Sequence, residues 1–151
     1  MNLRDYEEVF DVEILNTDIP KDLKAFMEQW GISTKDEVPV ITTGVKKLGL
    51  KKIYMGPSEI YLYFDQISSQ AANAGACNVG FAYDLLKNQT KIPAELNKYI
   101  LVFETTFVDK KGLKSFLCLT YLFSEKKWKF NFAVEGFMTP SKRSRFLCLV
   151  E

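Results

Sequence analysis

Four successive segments toward the C-terminus constrain the fold of this chain more than any other feature. Tyr99 to Val108, Leu113 to Phe123, Trp128 to Val134 and Arg145 to Val150 are dominated by aromatic, β-branched and other apolar residues, a composition that suits a pleated, half-buried surface. Asp109-Lys110-Lys111-Gly112 and Ser124-Glu125-Lys126-Lys127 supply short polar connections between the first three, as in an antiparallel meander. The segment 113–123 is apolar at nearly every position, which predicts a central strand. Around 128–134 the alternation is clean, with Trp128, Phe130, Phe132 and Val134 on one face and Lys127, Lys129 and Asn131 on the other. One face of that sheet is therefore expected to be covered and the other wet.

The expected cover is a long helix running from Ser68 to Leu86. Ala72, Ala76, Val79, Tyr83 and Leu86 share one face of it, and Ala74, Cys77, Phe81 and Leu85 share another, so apolar character wraps much of the circumference, as in a buried helix. Two shorter helices are predicted upstream. Leu3, Tyr6, Val9 and Phe10 stand at helical spacing, and Asp11 to Leu15 then alternates as a short strand. The second helix begins at Asp18 or Ile19, has Pro20 in its first turn, and carries the stripe Ile19, Leu23, Phe26, Met27 and Trp30, with Gly31 just past its end. Val38 to Thr43, Lys51 to Met55 and Ile60 to Phe64 read as strands, the last two separated by a Gly56-Pro57 turn. The expected architecture is a single α+β domain over residues 1–151, in which an antiparallel meander in the C-terminal half packs on the long buried helix.

What the chain lacks narrows its chemistry. It contains no histidine, which removes Ser-His-Asp and Cys-His catalysis and every zinc site with a histidine ligand. Its three cysteines, Cys77, Cys118 and Cys148, form no Cys-x-x-Cys pair and cannot make a complete disulfide framework. They are expected to be reduced, buried thiols in a cytoplasmic protein. No window holds about 18 uncharged apolar residues, and Met1 to Glu8 lacks the basic start and apolar run of a secretory leader, so no membrane association is expected. Asn73-Ala74-Gly75-Ala76 and Thr43-Gly44-Val45-Lys46-Lys47-Leu48-Gly49 both lack the spacing of a phosphate loop. No cofactor and no metal are expected. Asn88-Gln89-Thr90 matches a glycosylation sequon only by chance in such a protein.

The net charge of +1 hides a division. Residues 1–40 carry ten acids and four bases, a balance of −6, and the remaining residues carry nine acids and sixteen bases, a balance of +7. Asp5, Glu7, Glu8, Asp11, Glu13, Asp18 and Asp22 could form a surface for a protein partner with a basic face, although acids among apolar helix positions ordinarily form a solvated face. The lysines at 46, 47, 51, 52, 110, 111, 114, 126, 127 and 129, with Lys142-Arg143-Ser144-Arg145, do not amount to a nucleic-acid domain. The pI is about 7.6, and no nucleic-acid-binding signature accompanies them. Glu104 and Glu135 are strand carboxylates able in principle to orient a ligand or take a proton, but alternation also lets both point to solvent.

These features predict a non-catalytic binding protein that inhibits or neutralises a protein partner, such as an immunity protein masking a basic, nuclease-like toxin. The alternative is a small-molecule-binding α+β domain whose pocket is lined by Tyr61, Tyr63, Tyr99, Tyr121 and Trp128. An enzyme working through Glu104, Glu135 or a thiol ranks third.

Overall fold

The computed structural model describes residues 6–14, 19–30, 33–34, 42–53, 64–108, 112–134 and 142–150. In chain order the elements are β1 (Glu7–Ile14), α1 (Ile19–Trp30), β2 (Ser33–Thr34), β3 (Gly44–Lys52), α2 (Phe64–Ala74), α3 (Val79–Lys87), β4 (Ile100–Val108), β5 (Lys114–Leu122), β6 (Lys127–Val134) and β7 (Ser144–Leu149), with short 3-10 turns at Gln89–Lys91 and Ala94–Lys98. The strands form one mostly antiparallel sheet in the order β1-β3-β7-β4-β5-β6, with β2 beside the end of β4. The fold is therefore mixed α+β.

The meander of β4, β5 and β6 is present, and each strand begins within one residue of its sequence-based start. β5 is buried on both faces from Ser115 to Leu119, as its unbroken apolar sequence requires. The fourth strand departs from the meander. β7 does not flank β6 but runs between β3 and β4, antiparallel to the first and parallel to the second. The outer edge of β6 is tied down by one side chain: Gln89 accepts from the Trp128 N–H at 2.8 Å and donates to its carbonyl at 3.0 Å. Gln89→Ala removes both bonds, and urea denaturation is expected to show a loss of about 1–2 kcal/mol.

Two cores cover the two sheet faces. Leu101, Phe103, Leu117, Leu119 and Leu147 pack with Met27 of α1 and with Phe81, Ala82 and Leu85 of α3. Val102, Phe116, Cys118, Phe146 and Cys148, on the alternate strand positions, pack with Ile67 and Ala71 of α2 and with Tyr6. This corrects the long helix expected over 68–86. The chain instead forms two helices on opposite sheet faces, and the reason is local. Gly75 ends α2 in the left-handed region (φ +72°), and Asn78 caps α3 by accepting from the Gly80 N–H at 2.8 Å. On β6, Lys127, Lys129 and Asn131 are exposed and Trp128 between them is buried, as the alternation predicts.

The N-terminal helix expected over Leu3–Phe10 is also corrected, because residues Glu7–Ile14 are a strand. One extra residue is accommodated between Glu7 and Phe10, where Glu8 takes φ +50°. Such a bulge shifts the side-chain phase, so Tyr6 joins the α2-side core while Val12 and Ile14 join the other. Alternation interrupted in this way resembles helical spacing. Only the second predicted helix stands, as α1. β3 occupies residues between the two expected strands at 38–43 and 51–55. Thr42 and Thr43 precede it, and Lys51 and Lys52 close it. Its Gly49 packs closely under Tyr6, since a Cβ there would stand 3.0 Å from Tyr6 Cβ and Cδ1 and the ring would have to shift. Residues 38–41, 54–55 and 60–63 of the expected strands lie outside the described residues, and Phe64, expected to end the strand 60–64, instead begins α2.

Candidate functional site

The parallel neighbours β4 and β7 pair over only three positions, Ile100–Val102 against Ser144–Phe146. Beyond them the strands separate, and the segment joining α2 to α3 passes through the gap. Ala76 bridges Cys148, the Cys77 N–H donates to the Leu147 carbonyl at 2.7 Å, and the Leu149 N–H donates to the Gly75 carbonyl at 3.0 Å. On the other side of the gap the Glu104 N–H donates to the Cys77 carbonyl at 2.8 Å. Residues 75–77 thus act as a short inserted strand, and the chain changes sheet faces there, with Ala76 in one core and Cys77 in the other. The β4–β5 register shifts between Val102 and Thr106. Glu104 lies in that irregularity, the kind of feature that re-aims a side chain beside a binding site.

A cleft of about 340 Å³ opens at this crossing, lined by Tyr6, Lys51, residues 72–78, Phe81, Glu104 and Leu149. That volume falls at the small end of ligand pockets, roughly 300–1,000 Å³. The charged groups contributed by the sheet are Lys51, whose ammonium lies 4.7 Å from the Tyr6 ring centroid, and the exposed Glu104. Amide side chains come from Asn73 and Asn78. Cys77 lines the cleft as a protonated thiol, because burial, then Cys148 and Glu104, push its pKa far up. Burial raises Cys148 to about 11, against an opposing pull from Lys51, and raises Cys118 to about 12. All three thiols are free and buried, so none offers a thiolate near neutral pH. Among the described residues, no group of three or more Cys, Asp or Glu is placed to hold a metal ion.

The acids singled out in the sequence are distributed differently. Glu7, Glu8, Asp11 and Glu13 lie on the edge strand β1, with Glu8, Asp11 and Glu13 exposed. Asp22 lies in α1, and Asp5 and Asp18 lie outside the described residues. β1 pairs with the lysine-bearing β3, so Asp11 stands directly opposite Lys47, and Glu7 accepts from Arg145 Nε at 3.3 Å. Acidic and basic segments that are separate along the chain are thus neighbours in space.

Of the aromatic residues expected to line a pocket, Tyr61 and Tyr63 lie outside the described residues, as does Glu135. Tyr121 and Trp128 pack edge to face, 5.6 Å between centroids. Tyr99 donates to Glu7 Oε2 at 3.4 Å beneath the Arg145 guanidinium. None of these three lines the cleft. Glu104 is legible in the sequence as a strand carboxylate, but no local pattern places Lys51, Asn73, Asn78 or Phe81 around the same cleft. The sequence signal for the crossing was the pair Gly75 and Asn78, a helix stop followed by a helix start.

No protein-family model matches the chain, and neither curated proteins nor solved structures contain a significant match to it. Fold and cleft define only a broad class, an α+β domain with a cleft where its sheet divides. Among the described residues, no helix is long and apolar enough to cross a membrane.

Proposed function

We propose that the protein is a non-catalytic binding module that takes a small molecule in the cleft between α2, α3 and the divided sheet. The observation that carries this reading is the junction itself: a backbone crossing, a strand irregularity and a pair of opposite charges converge on one cavity. Features of this kind gather at binding sites because a rigid sheet fixes the position of groups that meet the ligand. Reduced thiols fit residence in the cytoplasm. Native mass spectrometry of protein purified from its own host tests the reading, with Ala72→Phe as the cleft-filling variant, since Ala72 is an exposed lining residue. A small molecule is expected on the wild-type protein and absent from the variant. Equal retention by both, or retention by neither, contradicts the proposal.

A second reading is favoured by the exposure of Glu8, Asp11 and Glu13 on an edge strand. Under it, the protein is an inhibitor of a basic protein partner, such as an immunity protein covering a nuclease-like toxin. It ranks second because the pairing of β1 with β3 sets Lys47 directly opposite Asp11, the middle one of these acids. Charge reversal at Glu8, Asp11 and Glu13 is expected to slow association with such a partner by about tenfold or more at low salt. An unchanged rate and unchanged salt dependence remove this reading.

A further inference from the structure

We infer that the ligand of the cleft is a zwitterion of the α-amino-acid class with an apolar side chain, an assignment that rests on the cleft being a small-molecule site. Three properties of the lining lead to this class. The first is charge: the lining holds one cation, Lys51, and one anion, Glu104. Among the described residues neither forms an ion pair, with the other or elsewhere. Lys51 comes from β3 and Glu104 from β4, with β7 and, at the level of Glu104, the inserted residues 75–77 between them, so their backbones are two to three strand spacings, about 10–14 Å, apart. That separation leaves room for a dipolar group between the two side chains.

The second property is orientation. Lys51 stands opposite Phe146, and Phe146 belongs to the core on the α2 face. Directly paired residues project to the same face, so Lys51 rises on the α2 side, over the Tyr6 ring. Glu104 follows Phe103, which is buried in the opposite core, and lines the same cleft as Lys51. The third property is the apolar wall of Tyr6, Phe81, Leu149 and the α2 alanines. A purely anionic ligand meets Glu104 and a purely cationic one meets Lys51, each with repulsion, whereas a zwitterion satisfies both and rests its side chain on the wall. In this arrangement the ligand carboxylate pairs with Lys51 and its ammonium with Glu104. The small volume suits a free amino acid better than a nucleotide or a cofactor.

Isothermal titration of the full chain with L-leucine, N-acetyl-L-leucine and L-leucinamide tests the assignment. L-leucine is expected to bind, and each analogue, having lost one charge, about tenfold more weakly. Glu104→Gln should abolish the preference for L-leucine over N-acetyl-L-leucine, and Lys51→Met the preference over L-leucinamide. Circular dichroism and the melting temperature establish that each variant is folded. If an analogue binds as tightly as L-leucine, the zwitterion assignment falls while the cleft remains a ligand site. If none of the three binds at millimolar concentration, the amino-acid class is overturned, and loss of a bound small molecule on Ala72→Phe still decides the cleft separately.

Discussion

Phe103→Ala lowers the free energy of unfolding by about 3–5 kcal/mol in urea denaturation, at the upper end of core truncations. Phe103 is among the largest fully buried side chains and packs in the core shared by β4, β5, α1 and α3. Its removal deletes buried apolar area and leaves a void that strands held on both sides cannot close. The neighbouring residue, Glu104, is exposed, so Glu104→Ala is expected to change stability by less than about 0.5 kcal/mol. Adjacent positions of one strand thus separate the residue that holds the sheet from the residue offered to a ligand. Comparable losses at both positions contradict the alternation described at this part of β4.

Lys91→Met lowers stability by about 3 kcal/mol, because it strands a buried carboxylate. Asp84 is only 3% exposed, and Lys91 Nζ lies 3.0 Å from its Oδ2 while also donating to the Glu13 carbonyl at 2.8 Å. One ammonium therefore neutralises a carboxylate of α3 and ties β1 to the helical layer. Asp84→Asn has a much smaller effect, about 1 kcal/mol, since Lys91 is partly exposed and keeps its bond to Glu13. With both replacements together, the loss is expected to fall well short of the sum, the signature of a coupled pair. Equal losses from the two single variants, adding without coupling, show that the contact does not carry the energy assigned to it.

Legibility in the sequence followed the range of the interactions involved. The meander and α1 are local: their turns, alternation and capping signals lie within the segments they shape, and they stand as read. β7 resembles a fourth meander strand in its composition, but its neighbours are set by β3 and β4, which no local pattern encodes. The helix over 68–86 looked continuous because its two halves are both apolar, and each half is apolar for a different core. Gly75 and Asn78 marked the break, yet apolar periodicity across them is indifferent to which sheet face follows. The bulge at Glu8 turned strand alternation into helix-like spacing. The cleft was least legible, since Lys51, Gly75 and Glu104 meet only because the chain crosses between β7 and β4. Part of the opposition of acidic and basic segments along the chain is brought together in space by the pairing of β1 with β3, where Asp11 faces Lys47.

The claim that this crossing is where the protein meets its ligand is tested most directly by amide chemical shifts. The protein is titrated with the low-molecular-weight fraction of its host's extract while the signals of Gly75, Cys77, Asn78 and Glu104 are followed, since these residues line the cleft. The account predicts saturable shifts centred on these amides, with those of Glu8, Asp11 and Glu13 unmoved. Shifts confined to β1, or cleft amides that stay in place throughout the titration, contradict it.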